Sequence, residues 1–141
     1  MREILFRGKT LNTGKWIEGY YCKYPHQFAG FLEPYIFVSS YDVEKEIGSC
    51  TAYSIVQDTV QQFTGLFDRN GRKIFEGDIV QYSLMTCPEN KQFGCVKFYA
   101  GEFYIESAFG EETFMSSLSD DDYTYEVIGN IVDNPELLEE E

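Results

Sequence analysis

Gln62-Phe63-Thr64-Gly65-Leu66-Phe67-Asp68-Arg69-Asn70-Gly71-Arg72-Lys73-Ile74-Phe75-Glu76 is the stretch that decides the fold class. Two runs carrying aromatic and β-branched residues flank Asp68-Arg69-Asn70-Gly71. Asn-Gly supplies the positive φ angles that hairpin turns require, and Asp68 can accept hydrogen bonds from amides at the start of the turn. The stretch therefore reads as a β-hairpin. Glu76-Gly77-Asp78 is a second tight turn, and residues 79–84 form the next strand.

The pattern continues in both directions. Upstream, residues 4–7 form a short apolar strand, and a turn around Asn12-Thr13-Gly14 leads into a strand over 15–24. In that strand Trp16, Glu18 and Tyr20 share one face, and Ile17, Gly19 and Tyr21 the other. Residues 25–34 read as a loop, 35–38 as a strand and 40–48 as a weak helical turn, while 49–57 is ambiguous. Downstream, Cys95-Val96-Lys97-Phe98-Tyr99 pairs with Phe103-Tyr104-Ile105-Glu106 across Ala100-Gly101-Glu102. Residues 111–118 read as a helical turn or loop, and 125–131 as a last strand. Asn134-Pro135 resembles a capped helix start, with Asn134 as N-cap.

The fold class expected is mostly β, built from short antiparallel strands and hairpins. Residues 1–58 form an N-terminal β region, and residues 59–141 hold the hairpin and a small SH3-like barrel, the two making one compact unit. One short helix closes the chain. Leu5, Phe6, Phe37, Phe63, Leu66, Ile74, Ile79, Val80, Val96, Phe98, Tyr104, Val127 and Ile131 are the expected core.

Composition bounds the function. The chain has 141 residues, 43% of them hydrophobic and 17% aromatic, with a net charge of −13. That apolar content excludes an acidic disordered chain. The charge is uneven. Up to Lys97, 11 Lys and Arg balance 11 Asp and Glu; from Phe98 onward there are 13 Asp and Glu and no Lys, Arg or His. A field of that sign opposes contact with phosphate backbones. No run approaches the roughly 18 apolar residues that span a bilayer, and Met-Arg-Glu-Ile opens no signal peptide. The expectation is a soluble cytoplasmic protein. Cys22, Cys50, Cys87 and Cys95 include no CxxC pair, so they read as scattered buried thiols rather than as a zinc site.

Three blocks carry a family resemblance. The first is Arg2-Glu3-Ile4-Leu5-Phe6-Arg7-Gly8, with Trp16 and Gly19 after it. The second runs from Thr59 to Val80 and contains the hairpin and both tight turns. The third is Tyr125-Glu126-Val127-Ile128-Gly129-Asn130-Ile131, followed by Asn134-Pro135-Glu136-Leu137-Leu138. Together they resemble the YopX family of bacteriophages and prophage regions. The resemblance implies a phage-related origin, a cytoplasmic setting in a bacterial host, and self-association. It brings no catalytic residue and no cofactor. Arg7-Gly8 departs from the Arg-Ala-Trp/Tyr start common in the family.

Each candidate for chemistry has a simpler reading beside it. Asp68, Asn70, Glu76 and Asp78 suggest calcium, but a calcium loop places Gly at position 6 and Glu at position 12. Gly71 stands at position 4 from Asp68, so a hairpin turn accounts for the pattern. Glu76 and Asp78 flank a turn glycine instead of opposing each other across a cleft, as acid–base pairs do. Gly65, Gly71 and Gly77 are spaced by six residues, which fits no phosphate loop. His26 lacks a partner in sequence and reads as a polar surface residue. No catalytic, cofactor or metal residue is assigned.

Two surfaces remain. Asp120, Asp121 and Asp122 form an acidic docking surface for a protein partner, host-encoded in the leading reading, or a DNA-mimicking inhibitor in the alternative. Arg2, Arg7, Lys15, Trp16 and Tyr20 form a basic and aromatic patch of the kind that binds single strands by stacking and charge. The expected function is that of a non-enzymatic accessory protein working by protein–protein interaction, with a homo-oligomer as one form of it. Nucleic-acid binding through the N-terminal patch is the alternative.

Overall fold

The computed structural model of the chain describes residues 4–25, 32–107, 112–114 and 123–138, with side chains for all of these except 112–114. The described residues are dominated by strands: β1 (Phe6–Lys9), β2 (Trp16–Pro25), β3 (Leu32–Asp42), β4 (Ile47–Ser54), β5 (Gln61–Phe67), β6 (Lys73–Phe75), β7 (Asp78–Leu84), β8 (Gln92–Tyr99), β9 (Glu102–Ser107), β10 (Glu112–Phe114) and β11 (Tyr123–Asn130). Neighbouring strands pair antiparallel. The described residues also include two 3-10 turns, Gln57–Thr59 and Pro135–Leu138. Among the described residues no helix is long and apolar enough to cross a membrane.

The chain divides into two compact units, Met1–Phe63 and Thr64–Glu141, and the division falls inside β5. In the first unit the hydrogen-bonded order is β4-β3-β2-β1-β5. Its core is small. Leu5, Ile36, Ile55 and Phe63 are buried, and Gly8 and Gly19 lie beneath them on the sheet. Gly19 is required by close approach: a Cβ there would strike the Phe37 carbonyl and come within 2.9 Å of Ile36 Cγ2. An isolated bridge from Thr10 to Ile55 ties the end of β4 back to the end of β1.

The second unit holds a five-stranded sheet in the order β10-β9-β8-β7-β11. Ile74, Val80, Tyr82, Val96, Ile105, Tyr125 and Val127 form its apolar cluster, with Leu66, Phe103 and Tyr123 packed on it. Val80 and Tyr82, like Tyr125 and Val127, share one face by the period-2 geometry of a strand, while Ile79 on the other face of β7 is buried as well.

The structure corrects several expectations. The barrel is replaced by open sheets: β10 and β11 stand at opposite ends of the strand order, so the sheet does not close. The terminal helix is a four-residue 3-10 turn, Pro135–Leu138, with the Leu137 amide donating to the Asn134 carbonyl at 3.1 Å. The Asn134 side chain accepts from the Asn130 amide at 3.3 Å, folding the turn back over Gly129. Residues 40–48 form no helical turn; they complete β3, turn, and enter β4. Both ends of the loop expected over 25–34 belong to strands, because β2 runs to Pro25 and β3 begins at Leu32, and residues 26–31 lie outside the described residues.

Within the turn Asp68–Gly71 of the decisive hairpin only Gly71 takes a positive φ, at 82°. Asn70 is not left-handed, because the Gly71 amide closes a turn on the Asp68 carbonyl at 3.0 Å and Gly71 then absorbs the bulge. Phe98 and Ile131, expected in the core, are 46% and 38% exposed. Phe98 lies near the end of β8, its ring 4.9 Å from that of Phe103. Ile131 lies beyond β11 and is held by its backbone, its amide donating to the Gly77 carbonyl at 2.8 Å. Three of the four thiols, Cys22, Cys50 and Cys87, are exposed, and only Cys95 is buried.

Candidate functional site

The central block is a structural device. Asp68 is buried at the start of its turn, 6% exposed. Its Oδ1 accepts from the amides of Asn70 and Arg72, both at 2.9 Å, and its Oδ2 accepts from the Val127 amide at 3.1 Å. Burial alone raises the pKa of this carboxyl. The backbone donors Val127, Arg72 and Asn70, with the Arg72 charge, outweigh burial and hold it below the ordinary 3.8. The Arg69 amide adds a bond to the Tyr125 carbonyl at 2.8 Å. The turn thus lies along the outer edge of β11, where a register shift between Val127 and Gly129 interrupts the ladder to β7.

Asp78 works in the same way. It is 1% exposed, and its Oδ2 accepts from the Phe75 amide at 2.7 Å. Gly77 between Glu76 and Asp78 sits at φ 88°, donates to the Val96 carbonyl at 2.7 Å and accepts from Ile131. A carboxylate closed inside a turn in this way faces no cleft. Among the described residues no group of three His, Cys, Asp or Glu is arranged to hold a metal ion.

The basic and aromatic patch lies on β1 and β2, except for Arg2, which is outside the described residues. Arg7 stands opposite Glu18 and Lys9 opposite Trp16 in the ladder. The Arg7 guanidinium lies 4.8 Å from the Trp16 ring centroid and Lys9 Nζ lies 5.4 Å from it, while Arg7 Nε donates to Gln61 Oε1 at 2.8 Å. The cations therefore cover the indole that a base would need for stacking. Lys15 is exposed beside them. Tyr20, 57% exposed, lies on the same face of β2 as Trp16 and stands opposite Phe37 of β3. Asp120, Asp121 and Asp122, like His26, are outside the described residues.

A recess of about 100 Å³ in the second unit is lined by Tyr82, Ser83, Leu84, Cys87, Gln92 and Tyr123 among others. That is well below the roughly 300 Å³ at which small-molecule sites begin. The buried Cys95 thiol, pushed up to about 11 mainly by burial, is no nucleophile at neutral pH.

A family model described as YopX protein matches residues 5–139. The chain belongs to the YopX family. A search of curated proteins returns no match. Among solved structures the chain is similar to protein EF1440 from Enterococcus faecalis, with a TM-score of 0.57 and 24% identity over 98% of this chain and 99% of that one. That likeness concerns the fold. In family terms, the block over residues 59–80 is the segment in which Asp68, Gly71, Gly77 and Asp78 build two turns and fasten β11.

The feature that sequence reasoning missed is the β3–β4 hairpin. Residues 39–53 are exposed without exception, on both faces. Tyr41, Val43 and Ile47 are 62%, 78% and 58% exposed. On the face shared with Tyr20, β2 and β3 also present Tyr24, Tyr35 and Phe37, with ring centroids 6.3 Å apart for Tyr24–Tyr35 and 6.4 Å for Tyr35–Phe37. The signal available in the sequence was the charge-free run from Ile47 to Gln57.

Proposed function

We propose that this chain is a non-enzymatic accessory protein of the phage and prophage type that acts by protein–protein association in the cytoplasm of a bacterial host. The observation that carries this reading is the first unit's exposed arm, residues 39–53, which leaves Tyr41, Val43, Ile47 and Tyr53 open to solvent and is continuous with the aromatic row of Tyr20, Tyr24, Tyr35 and Phe37. Exposed apolar surface gathered in one region marks an interaction site, and Tyr is a residue that interfaces favour. The chemistry-like residues of the central block support the same reading, because their polar atoms are engaged in turns.

The test is capture by the full chain from host lysate, compared with Tyr20→Ser/Tyr24→Ser. Specific capture that the double variant abolishes supports the reading. Capture indifferent to both substitutions, or turnover of a metabolite, overturns it. Arg7 and Lys9 beside Trp16 keep nucleic-acid binding as a second reading. Retention of single-stranded DNA at low salt, lost in Trp16→Ala, would favour it.

A further inference from the structure

We propose that Asn70-Gly71 is a spontaneous deamidation site which the Asp68 turn keeps locked, and whose reaction unfastens β11 irreversibly.

The pair of residues sets the site. In deamidation the backbone nitrogen of the following residue attacks the asparagine Cγ, and a side chain on that residue crowds the succinimide ring as it closes. The chain has five asparagines. Thr13 follows Asn12, Lys91 follows Asn90 and Ile131 follows Asn130, while Asn134 is followed by Pro135, which has no N–H. Asn70 alone is followed by glycine, the residue with the widest backbone freedom to reach the angles that the ring needs. Asn70 and Gly71 are both exposed, and a Cβ placed on Gly71 would meet nothing within 4 Å, so the space beside the turn is open.

The folded turn withholds the nucleophile. The Gly71 amide donates to the Asp68 carbonyl at 3.0 Å. The Asn70 and Arg72 amides donate to Asp68 Oδ1, both at 2.9 Å, and the Asp68 amide donates to the Arg72 carbonyl at 2.8 Å. The peptide units on both sides of Asn70 are thereby pinned. The rotation that swings the Gly71 nitrogen onto Asn70 Cγ requires the turn to open. Attack also requires the Gly71 amide to lose its proton, and the neighbouring carboxylate opposes the negative charge that results. Asp68 is itself held by the Val127 amide of β11 at 3.1 Å. The rate at Asn70 therefore reports how often the fastening of β11 opens.

The reaction balances with water as its co-reactant. The Gly71 nitrogen gives up its hydrogen and bonds to Asn70 Cγ, the Cγ–Nδ2 bond breaks, and ammonia leaves. Water then opens the succinimide at either carbonyl, giving aspartate or isoaspartate. Isoaspartate routes the main chain through Cβ and Cγ and so lengthens it inside the closed turn. The Gly71 and Arg72 amides can then no longer both reach Asp68, and the grip on Val127 loosens with them. Either product also places a second carboxylate beside Asp68.

The test follows conversion of amide to acid at each asparagine by peptide mass in mildly alkaline buffer, with isoaspartate identified by an isoaspartyl methyltransferase. In the urea-unfolded chain Asn70 should react before Asn12 and Asn90. In the folded protein it should react about a hundredfold more slowly than in urea. Folded Asp68→Ala should react about tenfold faster than the unaltered chain. Asp68→Ser, whose hydroxyl still accepts within the turn, should fall between them, and it takes the place of Asp68→Ala if that variant does not fold. The converted chain, separated by its added negative charge, should lose hydrogen-exchange protection at the Val127 amide. Equal rates in folded and unfolded protein overturn the inference, as do equal rates in the unaltered chain and the folded Asp68 variants. An Asn70 that reacts no faster in urea than Asn12 or Asn90 overturns it too, and so does a converted chain whose Val127 amide exchanges as slowly as before.

Discussion

The two units each contain an edge strand, and they treat it in opposite ways. At the outer edge of β11, the Asp68 carboxylate accepts from the Val127 amide and the Arg69 amide donates to the Tyr125 carbonyl, so the edge is covered by a turn of the same unit. At the outer edge of β4, Gly48, Cys50 and Ala52 face solvent on a strand without charge. Covering an edge is how monomeric sheets avoid pairing with other chains. The contrast teaches that one unit is closed on itself by specific polar contacts, while the other leaves its backbone groups available.

Removing the cover should have the largest effect. Asp68→Ala leaves three backbone donors without their acceptor at a buried position, and it should cost about 3 kcal/mol in urea unfolding. The acid limb of stability carries the same signature. The folded pKa of Asp68 is lowered, so its contribution is complete above the unfolded value near 3.8 and disappears as pH falls from there through the folded value. Asp68→Asn should flatten the stability profile below pH 3.8; an unchanged slope would show that the carboxylate does not fasten β11.

Gly19→Ala is next in size. Its Cβ runs into the Phe37 carbonyl, backbone that cannot rotate away, so β2 and β3 must separate at a cost of about 2 kcal/mol. That loss should appear in the first unit's signal, read from Trp16 fluorescence. A smaller effect of opposite sign is expected at the β8–β9 turn. Ala100 and Gly101 both have positive φ, 54° and 84°, and the two-residue turn prefers Asn-Gly. Ala100→Asn should stabilise by about 0.5 kcal/mol, seen as a higher urea midpoint. The smallest effect belongs to the arm: Val43→Ser, at a position 78% exposed, should change monomer stability by less than about 0.5 kcal/mol. A large loss there would mean that the arm is held by contacts within the unit.

The sequence was most legible where local chemistry acts alone. Gly71 and Gly77 marked their turns, and the alternation in residues 79–84, 95–99 and 103–106 marked strands. It was least legible where a residue answers to a distant one. Asp68 could be read as a turn residue, but its bond to Val127, 59 positions away, has no local signal. Asn134 has the local pattern of a helix cap, yet its side chain turns back to Asn130 because Gly129 leaves room for it. Residues 40–48 were misread, and 49–57 stayed ambiguous, for another reason: a ribbon exposed on both faces buries no face, and so carries no period-2 hydrophobic signal.

Of the site residues read from sequence, Arg7 and Trp16 are brought together, but in a contact that covers the indole. The β4 edge was invisible to that search because its open groups are backbone atoms.

Amide hydrogen exchange tests the central contrast directly. The account predicts that Asn70, Arg72 and Val127, whose amides donate to Asp68, are protected, while Gly48, Cys50 and Ala52 on the open edge of β4 exchange rapidly. Equal protection of the two sets would contradict it.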